Sequence, residues 1–141
     1  MSTPRPEILS DRALNRATLD RQLLLRPSSL TPLRAVEHLV GLQAQNPFDP
    51  YLALWSRLTD FDPEAVGRMV ESRELVRIVV MRGTIHLVTA NDAPALRSLT
   101  QPVLDAEIVR HTEFAPLLAD VDMAPVLARR RRGTGHLALR A

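Results

Sequence analysis

In the first half of the chain apolar positions recur at helical spacing, and each run is introduced by a helix-start signal. Ser10 or Asp11 can cap a helix running to about Leu25, with Ala13, Leu14, Ala17, Leu23 and Leu24 as apolar positions. Arg26-Pro27-Ser28-Ser29 breaks the pattern. Thr31 followed by Pro32 reads as an N-cap and first-turn proline, opening a helix with Leu33, Val36, Leu39 and Val40 on one face and Gly41 near its end. Asp49-Pro50 repeats the signal for a short helix with Tyr51, Leu52, Leu54 and Trp55. Asp62-Pro63 repeats it again, for a helix holding Val66, Met69 and Val70.

The period then changes from helix to strand. Glu74 to Met81 reads ELVRIVVM and Thr84 to Thr89 reads TIHLVT, with Arg82-Gly83 between them, which predicts a two-stranded hairpin. Alternation puts Ile85 and Leu87 on one face of its second strand and Thr84, His86 and Val88 on the other. Asn91 or Asp92 caps a further helix with Ala93, Leu96, Leu99, Val103 and Leu104, kinked or divided at Pro102. Several helices followed by one hairpin is the element order of a winged helix-turn-helix. The expected fold class is therefore mainly α with a two-stranded β-hairpin. Residues 1–10 form an N-terminal extension, 11–125 the winged-helix domain, and 126–141 an Arg-rich, disordered tail without a core face.

Composition narrows the functional classes. At 141 residues and 45% hydrophobic content the chain fits one ordinary domain with a core. No apolar run approaches the ~20 residues of a membrane span, and Met1 to Ser10 lacks a secretory h-region, so the expected compartment is cytoplasmic. There is no cysteine, which excludes disulfides, thiolate catalysis and Cys-based zinc sites. All 18 basic residues are arginine; five of them (Arg129, Arg130, Arg131, Arg132 and Arg140) lie in the last 13 residues, leaving 13 Arg against 16 Asp plus Glu before them, a formal −3. Only the tail is strongly basic. Global charge is thus weak support for DNA binding.

Generic enzyme motifs are absent. His38, His86, His111 and His136 show no metal-ligand pairing with carboxylates, the five glycines are isolated, and no serine sits in a nucleophile-elbow sequence. No metal or cofactor is expected. Two segments stand out: Gly41-Leu42-Gln43-Ala44-Gln45-Asn46-Pro47-Phe48-Asp49-Pro50 and Met81-Arg82-Gly83-Thr84-Ile85-His86-Leu87-Val88. Taken alone, Gln43 and Gln45 read as helix-terminal amides satisfying loop backbone. His86 reads either as a strand histidine paired with backbone or as a group facing a cleft, and Arg82 as a solvated turn residue or a phosphate contact. Trp55 and Tyr51 read most simply as core, with base stacking as the alternative.

Together, LVGLQAQNPFDPYLALWSRL and MRGTIHLV resemble the N-terminal module of the AlkZ/YcaQ-type DNA glycosylases, with similarity from about residue 10 to about residue 125. The resemblance implies a winged-helix domain acting on double-stranded DNA in repair or genotoxin resistance, by hydrolysis of the N-glycosidic bond of N7-alkylated purines including crosslinks. It places the family's Gln-x-Gln motif on Gln43 and Gln45, and makes Arg82 and His86 candidates for DNA or substrate contact. Family members are much longer and built of tandem winged helices, so the expectation is a single, truncated module, with oligomeric state open. N7-alkylation makes the purine a good leaving group, so water positioning and stabilisation of an oxocarbenium-like sugar remain the task of the protein. The competing readings are a non-catalytic winged-helix DNA-binding module and an inactive fragment. A recognition-helix role for PEAVGRMVES is disfavoured, because it offers only Arg68 and carries Glu64 and Glu71.

Overall fold

The computed structural model describes residues 9–113, 115–118, 120–125 and 128. Most of the tail expected over 126–141, including Arg129 to Arg132, lies outside them. The described chain forms two compact units, one ending at Gln101 and the other beginning at Pro102. It is mainly helical and winged-helix-like, with one small antiparallel sheet.

In the first unit the helix-start chemistry behaves as its residue types dictate. Ser10 caps α1 (Asp11–Arg21) by accepting from the Ala13 N–H at 3.3 Å, and Thr31 caps α2 (Pro32–His38) by accepting from the Arg34 N–H at 3.4 Å. Asp62 accepts from the Glu64 N–H at 2.9 Å at the start of α4 (Pro63–Glu71). The Asp49-Pro50 start is shifted. Phe48 occupies the cap position of α3 (Asp49–Trp55), and Asn46 Oδ1 accepts from the Phe48 N–H one turn earlier. Helix α1 ends at Arg21 rather than near Leu25, because Leu23 takes a left-handed φ of 56°; its helical residues are not buried, whereas Leu23 itself packs on the core.

The sheet has three strands, one more than the hairpin alone. Strand β1 (Leu42–Gln43) pairs with β3 (Ile85–Thr89), which pairs with β2 (Leu75–Val79), in the order β1-β3-β2. Leu42 faces Leu87 and Gln43 faces His86 in the first pairing; Leu75 faces Thr89 and Val79 faces Ile85 in the second. A two-residue strand carries no alternation of its own, so it is visible only once its partner is known. One 3-10 turn, Met81–Gly83, closes the hairpin.

The core lies between the sheet and helices α2, α3 and α4: Ala35, Val36, Leu42, Ala44, Leu54, Leu58, Val66, Leu75 and Leu87 are buried. Burial of each valine or leucine among them contributes roughly 1.5–3 kcal/mol. Val40, expected on the apolar face of α2, is instead half out at φ 60°, where it and Gly41 turn the chain into β1. Trp55 is 67% exposed and thus not a core residue, while Tyr51 is half-buried against the core. The short α3 presents Phe48, Leu52 and Trp55 outward because its inward stripe is already filled by Pro50 and Leu54.

Helix α5 (Ala93–Arg110) follows β3. The Leu96 N–H donates to the Asp92 carbonyl, and the Asp92 carboxylate accepts from the Thr89 hydroxyl at 2.7 Å, so Asp92 rather than Asn91 opens the helix. Pro102 lies inside this helical span, and the division between the two units falls there. In the second unit a short α6 (Ala115–Leu118) follows.

Candidate active site

Gln43, Gln45 and His86 come together on one face of the sheet, and strand alternation is the reason. Along Leu42-Gln43-Ala44-Gln45 the apolar residues are buried and both glutamines are exposed. Gln43 stands directly opposite His86 in the β1–β3 register. The Ala44 N–H donates to the Ile85 carbonyl at 2.8 Å, which makes Ala44 and Ile85 the bonded pair. By the alternation of antiparallel ladders Gln43 and His86 are then a non-bonded pair, the kind whose side chains approach most closely.

The ladder departs from regularity at this point. The Ile85 N–H donates not to the Ala44 carbonyl but to Oε1 of Gln45, at 3.1 Å. The Ala44 carbonyl is taken by Nη2 of Arg77, at 2.8 Å, reaching from β2. Two side chains thus replace one backbone bond and hold the Gln43-Ala44-Gln45 segment at the margin of the sheet. Because the partner of the Gln45 amide is an N–H, the atom facing it is the oxygen, and its Nε2–H donors have no partner among the described residues. The Gln43 amide makes no hydrogen bond among the described residues, so both its donors and its acceptor are available.

His86 is 4% exposed. Its Nδ1 lies 3.0 Å from the Thr84 carbonyl and 3.5 Å from Thr84 Oγ1, whose hydroxyl donates to the Met81 carbonyl. Arg82 does not join this group. It sits at the tip of the hairpin with φ 55°, exposed and without a described partner. Met81 folds back instead, its methyl 3.7 Å from where a Cβ on Gly41 would lie.

Two arginines escaped the sequence reading. Arg77 was visible only as the charged interruption of an apolar strand. Arg57 bonds the Gln22 carbonyl at 2.9 Å and the Ala53 carbonyl at 2.8 Å, and burial lowers its guanidinium from the ordinary arginine value. Arg68 is tied to Asp62 at 3.1 Å and to Glu64 at 3.8 Å. No group of three or more His, Asp or Glu side chains among the described residues is arranged to hold a metal. A concavity of about 260 Å³, lined by Leu33, Arg34, Glu37, Glu74, Thr89, Ala90 and Asn91, includes none of the candidate residues. The candidate site is an open strand margin. No described helix is long and apolar enough to cross a membrane.

These features define a class: a winged-helix-like domain with paired exposed glutamines flanking one buried alanine beside a strand histidine. A sequence profile of the family described as DNA glycosylase AlkZ-like matches residues 36–141, and the chain belongs to that family. The match begins after α1 and continues to residue 141, past the point near 125 where the resemblance was expected to end. Among solved structures, the Streptomyces sahachiroi DNA glycosylase AlkZ is similar at a TM-score of 0.67 and 25% identity, over 84% of this chain and 31% of that chain. The chain therefore spans less than a third of the length of that structure. No curated protein matches the sequence.

Proposed function

We propose that this domain takes part in hydrolysis of the N-glycosidic bond of N7-alkylated purines in double-stranded DNA, crosslinked purines included, within DNA repair or genotoxin resistance. The observation that carries the proposal is the pair Gln43 and Gln45: both exposed, on one face, with the Gln45 amide oriented by the Ile85 N–H and the Gln43 amide without a hydrogen-bond partner among the described residues. An N7-alkylpurine is already cationic and leaves without a strong general acid. What the protein supplies is orientation of water and electrostatic support for a sugar with oxocarbenium character. The free Gln43 oxygen can accept from that water, and the fixed Gln45 amide can hold the other side of the reacting sugar. His86 and Arg82 are the further contacts, Arg82 to phosphate. An open strand margin suits a bulky lesion better than a pocket for an extruded base. DNA at the nucleoid is the corresponding partner and place of action.

The test is alkali-dependent strand cleavage of a duplex carrying N7-methylguanine, comparing the chain with its Gln43→Ala/Gln45→Ala double variant. Lesion-specific cleavage by the unaltered chain and none by the variant is expected. Absence of cleavage from folded protein would reject the activity and leave a DNA-binding module or an inactive fragment.

A further inference from the structure

The candidate site holds one group whose protonation pattern the backbone dictates, namely His86. A carbonyl oxygen can only accept, so the ring nitrogen 3.0 Å from the Thr84 carbonyl carries the hydrogen of a neutral imidazole. Thr84 Oγ1 agrees, since its own proton is donated to Met81 and only its lone pairs face Nδ1. Nε2 is then left with a free lone pair. Among the described residues no buried side-chain nitrogen or oxygen lacks a partner, and Nε2 of His86 has none, so Nε2 is an atom that reaches the surface of an otherwise buried ring. Gln43 is the residue directly opposite His86 in the β1–β3 register, on the same face of the sheet.

From this geometry we infer that His86 Nε2 is the proton acceptor for the hydrolytic water, with Gln43 as the second acceptor that holds it. The inference rests on the glycosylase reading above. In the step, a water lone pair forms the new bond to C1′ as the C1′–N9 bond breaks, and the electron pair of that bond neutralises the cationic purine. The water proton passes to Nε2, and the resulting imidazolium, still donating from Nδ1 to Thr84, returns it to solvent. The products are a neutral base, an abasic sugar and one proton. Two amides cannot take that proton themselves, because neither is a base of useful strength.

Two measurements on the full chain decide the matter. Long-range proton–nitrogen NMR of the unaltered protein should show His86 as the Nδ1–H tautomer; the Nε2–H tautomer would overturn the inference irrespective of activity. In single-turnover cleavage of the N7-methylguanine duplex, His86→Asn is the informative variant. Asparagine keeps an amide N–H near the position of Nδ1 for the Thr84 carbonyl but has nothing at Nε2. We expect its cleavage rate, read with protein in saturating excess so that duplex affinity does not enter, to fall about 100-fold. An active parent whose His86→Asn variant keeps its rate refutes the role of His86 and leaves the proposed function standing. An inert parent removes the proposed function and this inference together.

Discussion

Gly41 is the residue on which the position of the paired glutamines most depends. Its φ of +116° lies where side chains are strained, and a Cβ there would meet Val88 Cγ1 at 2.8 Å and the Leu87 carbonyl at 3.2 Å. Both obstacles belong to the central strand, and one of them is backbone. Gly41→Ala should therefore destabilise the fold by about 3 kcal/mol. Gly67, inside α4 with nothing within 4 Å of its would-be Cβ, should respond with the opposite sign, Gly67→Ala stabilising by about 0.5–1 kcal/mol. Urea midpoints of the two variants check both; a tolerated Gly41→Ala would mean that the turn into β1 is not tight. The sequence placed Gly41 near a helix end but could not show that it abuts β3, since its neighbours there lie more than 40 positions away. A separation of 40 positions likewise hid the partner of Gln45. That Gln43 and Gln45 share a face follows from their spacing, whereas the engagement of one oxygen by Ile85 does not.

Among the elements, those governed by local chemistry were legible. Ser10, Thr31 and Asp62 cap as their residue types and spacing require, and the change from period 3.6 to period 2 after Glu74 marks the hairpin. Elements that depend on remote partners were not. Strand β1 exists because β3 offers it an edge, and the Phe48-Leu52-Trp55 side of α3 is exposed because Pro50 and Leu54 fill the inward side. Arg77 belongs to this second kind, as a side chain of β2 that completes the hydrogen bonding of a carbonyl next to β1. Arg77→Ala should cost about 1 kcal/mol, the usual net worth of a partly exposed hydrogen bond. It should also free the Ala44 carbonyl to compete with Gln45 for the Ile85 N–H. Amide exchange resolved by residue distinguishes the outcomes: exchange at Ala44 should rise while β2–β3 pairs such as Val76 and Val88 keep their protection. Unchanged exchange at Ala44 would show that Arg77 does not hold the glutamine segment. Arg57 adds no pH dependence near neutrality. Its lowered value means that folding disfavours its proton, so any stability gained on losing that proton appears only far above neutral pH.

At the scale of the whole molecule, the proposed affinity for DNA would have to arise from a body that is not basic. Residues 1–128 carry 13 arginines against 16 acidic groups. Within the first unit several of those arginines are already committed, Arg34 to Glu37, Arg68 to Asp62 and Glu64, Arg57 to backbone carbonyls. Arg82 at the hairpin tip stays available, and Arg129 to Arg132 supply four adjacent positive charges. Two contributions to binding then separate by their response to salt. Phosphate contacts release counterions, and each lowers the slope of log K against log salt by about 0.9 on duplex DNA. If the run binds phosphate, replacing Arg129, Arg130, Arg131 and Arg132 together by alanine should flatten that slope by about 3 to 4, equally on damaged and undamaged duplexes. Arg82→Ala should flatten it by about 1. Neither change should alter the ratio of affinities for lesion and intact DNA, because a phosphate contact carries no information about the base. A slope unmoved by the fourfold replacement would remove the run from the interface. A loss confined to lesion DNA would instead place those arginines at the reacting sugar.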